Sequence, residues 1–490
     1  MSAKKFLEEY WKYLLLFFLI SIPVFQHLGT LPIRIWDESR LAINAYEMYH
    51  NGNWLVPTYE GSPDLWNTKP PLMIWLQVFF MKLMGISELS VRMPSALAAL
   101  FTCVCLLLFS VRYLKNFWFG FICNLVLITS AGFVDIHSSR TGDYDALLTL
   151  FLTLSALLFF LFIETSKNKY LYLFFLFLLL GFLTKSATAL MILPAFFIYT
   201  LLRRKMLEIL KNKHFYVGLS VTLFLAVGYY FLREIYNPGY MDAVAINEFG
   251  GRFFDTIESH KHGFWFYYNN LISTRLPYWM IFIPCGIAVG IFSKDERIKN
   301  VTLFSFIAAI TFFIVISSAQ TKLFWYDVPL FPFLAILIAV FLHFIFSFLK
   351  DNKRIFHYLK CNIISGVFIF LIFLTPYRQT IDRTHKFKEY PYDVEFYKTS
   401  HYLREIVRGK RDMDDFIVLY TDHPAHILFY VDVLQDKGKN ISLRNKKEVK
   451  IGEIVLASQD EVKQSIELEH DYNVVDEYDN VKIYKIIGKK

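Results

Sequence analysis

Long apolar runs alternate with short polar connections over the first three quarters of the chain. A run of about 20 apolar residues crosses the hydrocarbon core of a bilayer as a helix, and by that measure the pattern predicts about eleven membrane-spanning helices. They lie near residues 13–30, 92–111, 117–135, 145–163, 170–184, 187–202, 215–232, 277–293, 301–318, 324–346 and 361–377.

Basic residues collect in alternate connections between these runs. Such residues are enriched in the cytoplasmic loops of membrane proteins. The connections that carry them are therefore expected on the cytoplasmic side, and the other polar segments on the opposite, periplasmic side. The basic residues in question are Lys4, Lys5, Arg112, Lys115, Lys167, Lys169, Arg203, Arg204, Lys205, Lys211, Lys213, Lys294, Arg297, Lys299, Lys350, Lys353, Arg354 and Lys360.

The first outer loop, residues 31–91, contains two helical patterns. After Glu38 the apolar residues recur on one face of a helix, so Asp37 and Glu38 are expected to cap an amphipathic helix on the membrane surface. A second interfacial helix is expected from Pro71 to Met84, with the Pro-Pro pair defining its start. Two such helices form a cleft suited to a substrate with one polar and one lipid end.

The tail, residues 378–490, is polar and charged. "EFYKTSHYLREIV" has helical periodicity, whereas "DDFIVLY", "HILFYVDV" and "GEIVLAS" are interpreted as short buried strands. We therefore predict a polytopic α-helical membrane domain over residues 1–377, followed by a small periplasmic α/β domain over residues 378–490.

The composition agrees with a membrane protein. Of the 490 residues, 55% are hydrophobic and only 19% are charged, with 51 Phe and 30 Tyr, which is more apolar than a soluble protein of this length. The net charge of +8 is scattered, without zinc-finger spacing or a basic aromatic helix, so no nucleic-acid partner is expected. The five cysteines fall in or beside apolar runs, where core packing is expected rather than disulfides.

The stretch "LWNTKPPLMIW", residues 65–75, places Lys69 at the boundary of an apolar segment. A charge within the bilayer is costly, so a lysine held there by two prolines suggests a cation for a phosphate. Asp37 or Glu38 would then supply a base for a hydroxyl nucleophile. The alternatives are structural: helix capping and solvated interface charge for the acids, and a lysine that extends to the interface for Lys69.

Other polar residues concentrate on the same outer side, while the interiors of the spans carry almost no charge. A transport pathway instead needs charges or helix breaks near mid-membrane. The distribution therefore favours a site at the outer membrane face. The residues concerned are Arg140, Asp143, Asp145, Lys185, Glu248, Arg252, His260, His262, Lys322 and Tyr326.

The order of several motifs resembles the C-type (GT-C) membrane glycosyltransferases, in particular the bacterial aminoarabinose transferase and protein O-mannosyltransferase-like group. The resemblance covers about residues 1–345. The matching segments are "WDESRLAINAYEMYHNGNWLVP", "KPPLMIWLQ", "LSVRMPSALAAL", "GDYDALLTLF", "GFLTKSATALMILPAFFIYTLLRR", "FGGRF", "HGFWFYYNNLISTRLPYW" and "SSAQTKLFWYDVPLFPFLA".

The resemblance implies a glycosyltransferase that takes a sugar from a polyprenyl phosphate at the periplasmic face of the inner membrane. The acceptor would be a lipid A-like lipid, a glycan or a protein hydroxyl, reached in one displacement with inversion by an enzyme expected to be a monomer. By motif, Asp37 would be the catalytic base, and Asp145 of "DALL" would orient its loop. The implied substrate-binding residues are Lys69, Arg252, Tyr326, Lys322, Glu38, Arg140 and Lys185.

Two positions depart from the aminoarabinose transferases. Thr68 stands where that subgroup has Glu before Lys-Pro-Pro, and Phe249 stands where it has His. The two missing side chains resemble the metal pair of that subgroup, so no cofactor is assigned and a divalent metal ion is only an open alternative. Two other functions also stay open: a flippase for a polyprenyl-linked glycolipid, and a catalytically silent scaffold that presents the tail to partners.

Overall fold

The computed structural model describes residues 3–250, 261–351, 361–385, 388–391, 393–421, 423–445 and 449–490. Helices dominate up to His385, and a five-stranded sheet with three flanking helices follows. The helices of the first part are α1 (Ala3–Phe25), α2 (Asp37–Asn51), α3 (Leu72–Met84), α4 (Glu88–Phe109), α5 (Phe117–Ile128), α6 (Tyr144–Thr165), α7 (Asn168–Lys185), α8 (Leu193–Leu202), α9 (Met206–Lys211), α10 (Lys213–Tyr236), α11 (Tyr240–Val244), α12 (Phe266–Asn270), α13 (Phe282–Ile291), α14 (Glu296–Ser318), α15 (Phe331–Asp351) and α16 (Cys361–His385).

Among the described residues, seven helical segments are long and apolar enough to cross a membrane. Shorter apolar helices lie at Tyr10–Phe25, Leu72–Met84, Phe117–Ile128 and Phe282–Ile291. The prediction of a multi-pass membrane protein is confirmed, whereas the number of about eleven spans stays a prediction. The seven segments are Glu88–Leu114, Tyr144–Thr165, Asn168–Leu202, Lys213–Tyr236, Glu296–Ser318, Phe324–Lys350 and Ile363–His385.

The segment Asn168–Leu202 reverses direction after Lys185. A straight helix of that length would separate its ends by about 50 Å. Instead Arg203 Nε lies 3.0 Å from Glu164 Oε1, at the end of α6, and Asn212 donates to Asn168 at the start of α7. A 3₁₀ segment, Ser186–Ile192, makes the reversal between α7 and α8. The predicted turn near residue 185 is therefore present.

Helix α6 lies at the centre of the helical part and is largely buried. It packs against α4 and α7. Helix α15 is also largely buried and packs against α5, α13, α14 and α16. Both helices are apolar around most of their circumference, which is the pattern of helices surrounded by other helices.

The two helices predicted in the first outer loop are both present, as α2 and α3. Asp37 and Glu38 do not cap α2 from outside, however, but form its first turn, where negative charge is favourable. The N-cap is Trp36, with φ 68° and ψ −120°, a conformation that costs a non-glycine residue free energy. Between the helices, strands β1 (Thr58–Tyr59) and β2 (Ser62–Pro63) form a short antiparallel hairpin.

The C-terminal domain is an α/β unit, as expected. Its elements are α17 (Val394–Val407), β3 (Asp415–Tyr420), α18 (Ala425–Asp436), β4 (Asn440–Asn445), β5 (Ile454–Ala457), α19 (Asp460–Glu469), β6 (His470–Tyr478) and β7 (Val481–Lys489). The strand order is β4-β3-β5-β7-β6. Strand β3 runs parallel to β4 and β5, whereas β7 runs antiparallel to β5 and β6.

One strand prediction in this domain is wrong, because "HILFYVDV" forms most of helix α18. Its Ile, Phe, Tyr and Val residues favour strands by composition. The helix buries almost its whole apolar surface between α17 and α2, so tertiary packing outweighs that preference. The predicted domain boundary at residue 378 falls inside α16, which continues to His385.

The C-terminal domain contacts the outer loop just before α2. The Tyr430 hydroxyl accepts from Ile33 N at 3.0 Å, and the Tyr397 hydroxyl accepts from Ile35 N at 3.1 Å. Arg34 forms a two-bond ion pair with Glu389 at 2.5 and 2.7 Å. One buried apolar cluster also includes side chains of α2, α3, β3 and α18. These contacts hold the C-terminal domain against the segment that carries Asp37.

Replacing Asp432 by Asn should stabilise the protein at neutral and alkaline pH. Burial, followed by the charges of Glu47, Asp436 and Glu60, raises the pKa of Asp432 to about 7. Since the unfolded chain has the ordinary value of 3.8, the ionised carboxylate destabilises the folded state fully above about pH 7 and not at all below about pH 4. We expect a gain of about 1–2 kcal/mol at pH 8.

Thermal unfolding of both proteins in detergent at pH 5 and pH 8 tests this expectation. The difference between Asp432→Asn and wild type should be larger at pH 8. A difference that is equal at both pH values would show that Asp432 is ionised throughout.

Candidate active site

A pocket with an empty volume of about 670 Å³ opens where four separate parts of the helical domain meet. It brings together the start of α3, the reversal after α7, the π-helical turn Ala245–Gly250 and the connection between α14 and α15. Its lining residues are Lys69, Lys185, Ala187, Thr188, Met191, Glu248, Ile316, Ala319, Thr321 and Tyr326. The lining combines cations with an aromatic hydroxyl and aliphatic surface.

Lys69 is buried, with 7% of its surface exposed. Its ammonium lies 3.7 Å from Glu248 Oε1 and 5.3 Å from the centre of the Tyr144 ring. Thr68 immediately before it donates to Glu248 at 2.9 Å. The proline pair prevents the helix from starting before Leu72, so this lysine stands at the helix entrance rather than inside it. The position of Lys69 is thus fixed by its surroundings, and its role as a cation for a phosphate stays a prediction.

Lys185 is the second cation of the pocket and pairs with Asp145. The distances from its Nζ to the two carboxylate oxygens are 2.6 and 2.8 Å, and both side chains are buried. Asp145 lies in the first turn of α6 and Lys185 ends α7, so the antiparallel packing of these helices brings the two residues together. The ammonium also lies 4.9 Å from the centre of the Tyr326 ring. Asp145 thus orients a pocket cation.

Asp37 belongs to a neighbouring group with His137 and Asp143. Ligand atoms of the three side chains lie within 4.8 Å of one another. His137 Nδ1 is 3.3 Å from Asp143 Oδ2, and its ring stacks on Trp325 at a centroid distance of 3.7 Å. Burial alone lowers the pKa of His137, but the charges of Asp143, Asp37 and Asp145 outweigh it and raise the pKa above its ordinary value.

Two carboxylates and an imidazole are suitable ligands for a divalent cation. Asp143 is 1% exposed, and its Oδ1 has no hydrogen-bond partner in the part of the chain that the structure describes. A buried carboxylate oxygen of this kind is normally paired, so the donor set fits a cation. Asp37, His137 and Asp143 are therefore the described residues that can hold a metal ion. A bound ion there would stabilise negative charge on a nearby phosphate or lower the pKa of a bound hydroxyl.

The Asp37 group and the pocket are adjacent. The charge of Asp37 acts on Lys185, Asp145 and Tyr144, whose ring lies beneath the Lys69 ammonium. A ligand in the pocket would therefore contact two cations and the Glu248 carboxylate, with the Asp37 carboxylate nearby.

Three of the described residues that were expected to bind substrate lie outside the pocket lining. Glu38 is fully buried and pairs with Arg92 at 2.7 Å. Arg140 donates to the backbone carbonyls of Pro23, Val24 and Gln26 at the end of α1.

Lys322 is the third of these residues, and its ammonium donates to the carbonyls of His262 and Ala319. Burial lowers the pKa of Lys322 below its ordinary value. Two further predicted residues, Arg252 and His260, lie outside the described residues.

Comparison with known sequences agrees with this architecture. Residues 68–230 match the family described as dolichyl-phosphate-mannose-protein mannosyltransferase. An uncharacterised protein of Aquifex aeolicus (strain VF5) is 29% identical over 67% of this chain and 64% of its own length. An undecaprenyl phosphate-alpha-4-amino-4-deoxy-L-arabinose arabinosyl transferase of Proteus mirabilis (strain HI4320) is 26% identical over 68% of this chain and 60% of its own. The chain thus matches less than two thirds of the length of these relatives.

Comparison with solved structures settles the fold. The crystal structure of ArnT from Cupriavidus metallidurans bound to undecaprenyl phosphate superimposes over 99% of this chain and 98% of its own, with a TM-score of 0.70 and 14% identity. The chain therefore has the GT-C fold of ArnT, and its sequence is similar to aminoarabinose transferases and to the protein mannosyltransferase family. This similarity agrees with the resemblance inferred from the motifs.

Three features of the site were not predicted from the sequence. His137 was not considered, although "HSSRTGD" places it six residues before Asp143. Trp325, which stacks on His137, gave no separate signal within an aromatic-rich segment. Asp143 and Glu248 were counted among the outer-side charges without a role. Glu248 meets Lys69 from a distant part of the chain, and the spacing of His137 and Asp143 did not indicate that their side chains meet.

Proposed function

We propose that this protein transfers a sugar from a polyprenyl-phosphate-linked donor to an acceptor hydroxyl at the periplasmic face of the bacterial inner membrane. The observation that carries the proposal is the pair of buried cations, Lys69 and Lys185, in one pocket beside the Asp37 carboxylate. Each cation has a carboxylate partner, Glu248 for Lys69 and Asp145 for Lys185, and both ammonium groups line the same pocket. A phosphate on an isoprenoid chain would make charge-assisted hydrogen bonds to both ammonium groups there.

The pocket favours departure of the phosphate. As the bond between the sugar and the phosphate breaks, negative charge grows on the phosphate oxygens, and fixed cations stabilise the transition state more than the bound donor. Tyr326 lines the same pocket and offers a hydroxyl for hydrogen bonding to the phosphate. The names of the arabinosyl transferase relatives and the undecaprenyl phosphate bound to ArnT support this donor class. Arg252 and Lys322 stay predictions as further phosphate ligands.

Asp37 is proposed as the base for the acceptor. It accepts the proton of the acceptor hydroxyl while the hydroxyl oxygen bonds to the anomeric carbon and the lipid phosphate leaves with its electron pair. A single displacement of this kind inverts the configuration at the anomeric carbon. Asp145 acts indirectly, because its carboxylate positions the Lys185 ammonium. A lipid A-like lipid, a glycan or a protein hydroxyl would serve as acceptor.

Mass spectrometry of the purified protein in lipid tests the proposed function. The protein is offered polyprenyl phosphate sugars with a membrane extract, and loss of sugar from the donor is measured. Transfer to an acceptor, with release of polyprenyl phosphate, is the expected result. An intact donor that instead changes leaflet would overturn the transferase and favour the flippase.

Replacing Lys69 by Gln should weaken binding of undecaprenyl phosphate by about 10- to 100-fold, since a hydrogen bond to a charged group contributes about 1.5–3 kcal/mol. The matched control is Lys82→Gln, because Lys82 is an exposed lysine near the end of α3. Titration of both variants with undecaprenyl phosphate in detergent measures the effect. Equal affinities for the two variants would contradict a phosphate site at Lys69.

A further inference from the structure

A cleft separate from the candidate active site lies in the C-terminal domain, at the carboxyl ends of its parallel strands. From β3 the chain passes through α18 to β4 on one side, and then crosses to β5 on the other side. The strand order therefore reverses between β3 and β5. In open α/β sheets ligands bind at such a reversal, outside the carboxyl ends of the strands. Tyr420 ends β3, Ser458 follows β5, and both line a cleft with an empty volume of about 370 Å³.

His426 lines this cleft from the first turn of α18 and is 2% exposed. Neither of its ring nitrogens has a hydrogen-bond partner of normal geometry among the described residues, although the Phe396 backbone lies close enough to act on the ring. The ring stacks on the Phe396 ring at a centroid distance of 4.6 Å. A buried polar group without partners is costly, and it is a feature of sites that a ligand completes.

The cleft favours a neutral polyhydroxyl ligand. Burial, and next the charge of Arg34, lowers the pKa of His426 to about 3. The ring is therefore neutral and offers one N–H donor and one acceptor, which a pair of sugar hydroxyls can satisfy. Thr399 and Ser458 add hydroxyl groups, joined by a 2.7 Å hydrogen bond.

A phosphate is a less suitable ligand for this cleft. The amino-terminal end of α19 follows Gln459, and backbone N–H groups at such an end attract anions. Here, however, Asp460 and Glu461 occupy the first turn of the helix and oppose a bound anion. Neutral hydroxyl groups of a ligand can accept from the same backbone N–H groups without being repelled by the two carboxylates.

The cleft lies beside the segment that carries Asp37. The Trp36 ring contacts the His423 ring of the cleft at a centroid distance of 4.8 Å, and Trp36 directly precedes Asp37. Trp36 is 48% exposed, so one face of a large aromatic ring is available to a ligand. Sugar rings pack well on such apolar faces while their hydroxyls bond elsewhere.

We propose that the cleft between the carboxyl ends of β3 and β5 binds a sugar residue of the acceptor and presents the acceptor hydroxyl to Asp37. The identification of this sugar as part of the acceptor rests on the proposed transferase function. Sugar binding in the cleft does not depend on that function and is tested separately.

Saturation-transfer difference NMR with the full chain in lipid nanodiscs tests sugar binding. The probes are glucose, galactose, mannose and N-acetylglucosamine, each at millimolar concentration. We expect at least one of them to receive saturation from wild type and equally from Asp37→Asn. Binding should weaken about tenfold in His426→Leu, which loses both hydrogen bonds, and recover in part in His426→Gln, which keeps a donor and an acceptor. No saturation of any probe by wild type, or equal saturation by His426→Leu, would overturn the site.

The acceptor role is tested with the transfer assay. His426→Leu should raise the KM for a glycosylated acceptor and leave the KM for the polyprenyl phosphate donor unchanged. If transfer is absent in wild type while sugar binding persists, the proposed function fails and the sugar site stands. If transfer occurs and His426→Leu leaves the KM for the acceptor unchanged, the acceptor role fails.

Discussion

Asp37→Asn should lower the rate of sugar transfer by about 10²- to 10⁴-fold, the range expected when a general base is removed. The substitution keeps the shape of the side chain and removes its ability to accept a proton at neutral pH. Asp37 is the residue of the acidic pair that lies with His137 and Asp143 near the two pocket cations. Donor binding should persist, because Lys69 and Lys185 are unchanged.

The rate is measured as sugar loss from the polyprenyl phosphate donor, with purified protein at matched concentration. The control is Asp242→Asn, since Asp242 is an exposed acid on α11, a helix whose Tyr240 donates to the Thr68 carbonyl beside the site. Its rate should equal that of wild type. Full activity of Asp37→Asn would place the base elsewhere, and unfolding of this variant would assign Asp37 a structural role instead.

Glu38→Gln should destabilise the fold by about 3–5 kcal/mol, the cost of breaking a buried ion pair by removing one charge. Glu38 and Arg92 are both 0% exposed, and Arg92 also donates to the carbonyls of Leu28, Leu31 and Pro32. Although burial alone raises the pKa of Glu38, Arg92 and two backbone N–H groups outweigh it and hold the pKa below its ordinary value. The neutral variant leaves the guanidinium buried without its counter-charge.

Unfolding in detergent by heat or denaturant measures this effect. Glu296→Gln is the matched control, because Glu296 pairs with Lys299 at 3.6 Å on the surface, where an ion pair contributes about 0–1 kcal/mol. The double variant Glu38→Gln, Arg92→Gln should lose less stability than the sum of the two single variants, since no charge stays buried. A loss below about 1 kcal/mol in Glu38→Gln would mean that the Arg92 guanidinium reaches solvent or another acid.

These two predictions assign different roles to Asp37 and Glu38, which the sequence alone did not distinguish. Asp37 and Glu38 are adjacent acids after the same apolar run, and nothing in their spacing distinguishes a base from a structural carboxylate. In a helix, adjacent side chains point about 100° apart. Glu38 therefore faces α4 and the loop beneath it, whereas Asp37 faces His137 and Asp143.

The periodicity of hydrophobic residues was enough to predict much of the framework. It gave the membrane class, the two helices α2 and α3, the reversal near Lys185 and the position of Lys69 just before a helix. These features depend on local patterns: run length against bilayer thickness, apolar spacing along a helix, and prolines that prevent a helix from starting early. The motifs in order indicated the GT-C fold and the proteins to which the chain is similar.

Only the tertiary structure decided which charges meet. The Asp145–Lys185 pair, the burial of Glu38 against Arg92 and the approach of His137 to Asp37 each join residues 40 or more positions apart. Helix α18 was missed for a related reason, since its strand-like composition is outweighed by burial against α2. A local pattern records which face of an element is apolar, but the partner of each polar group depends on which distant element packs against it.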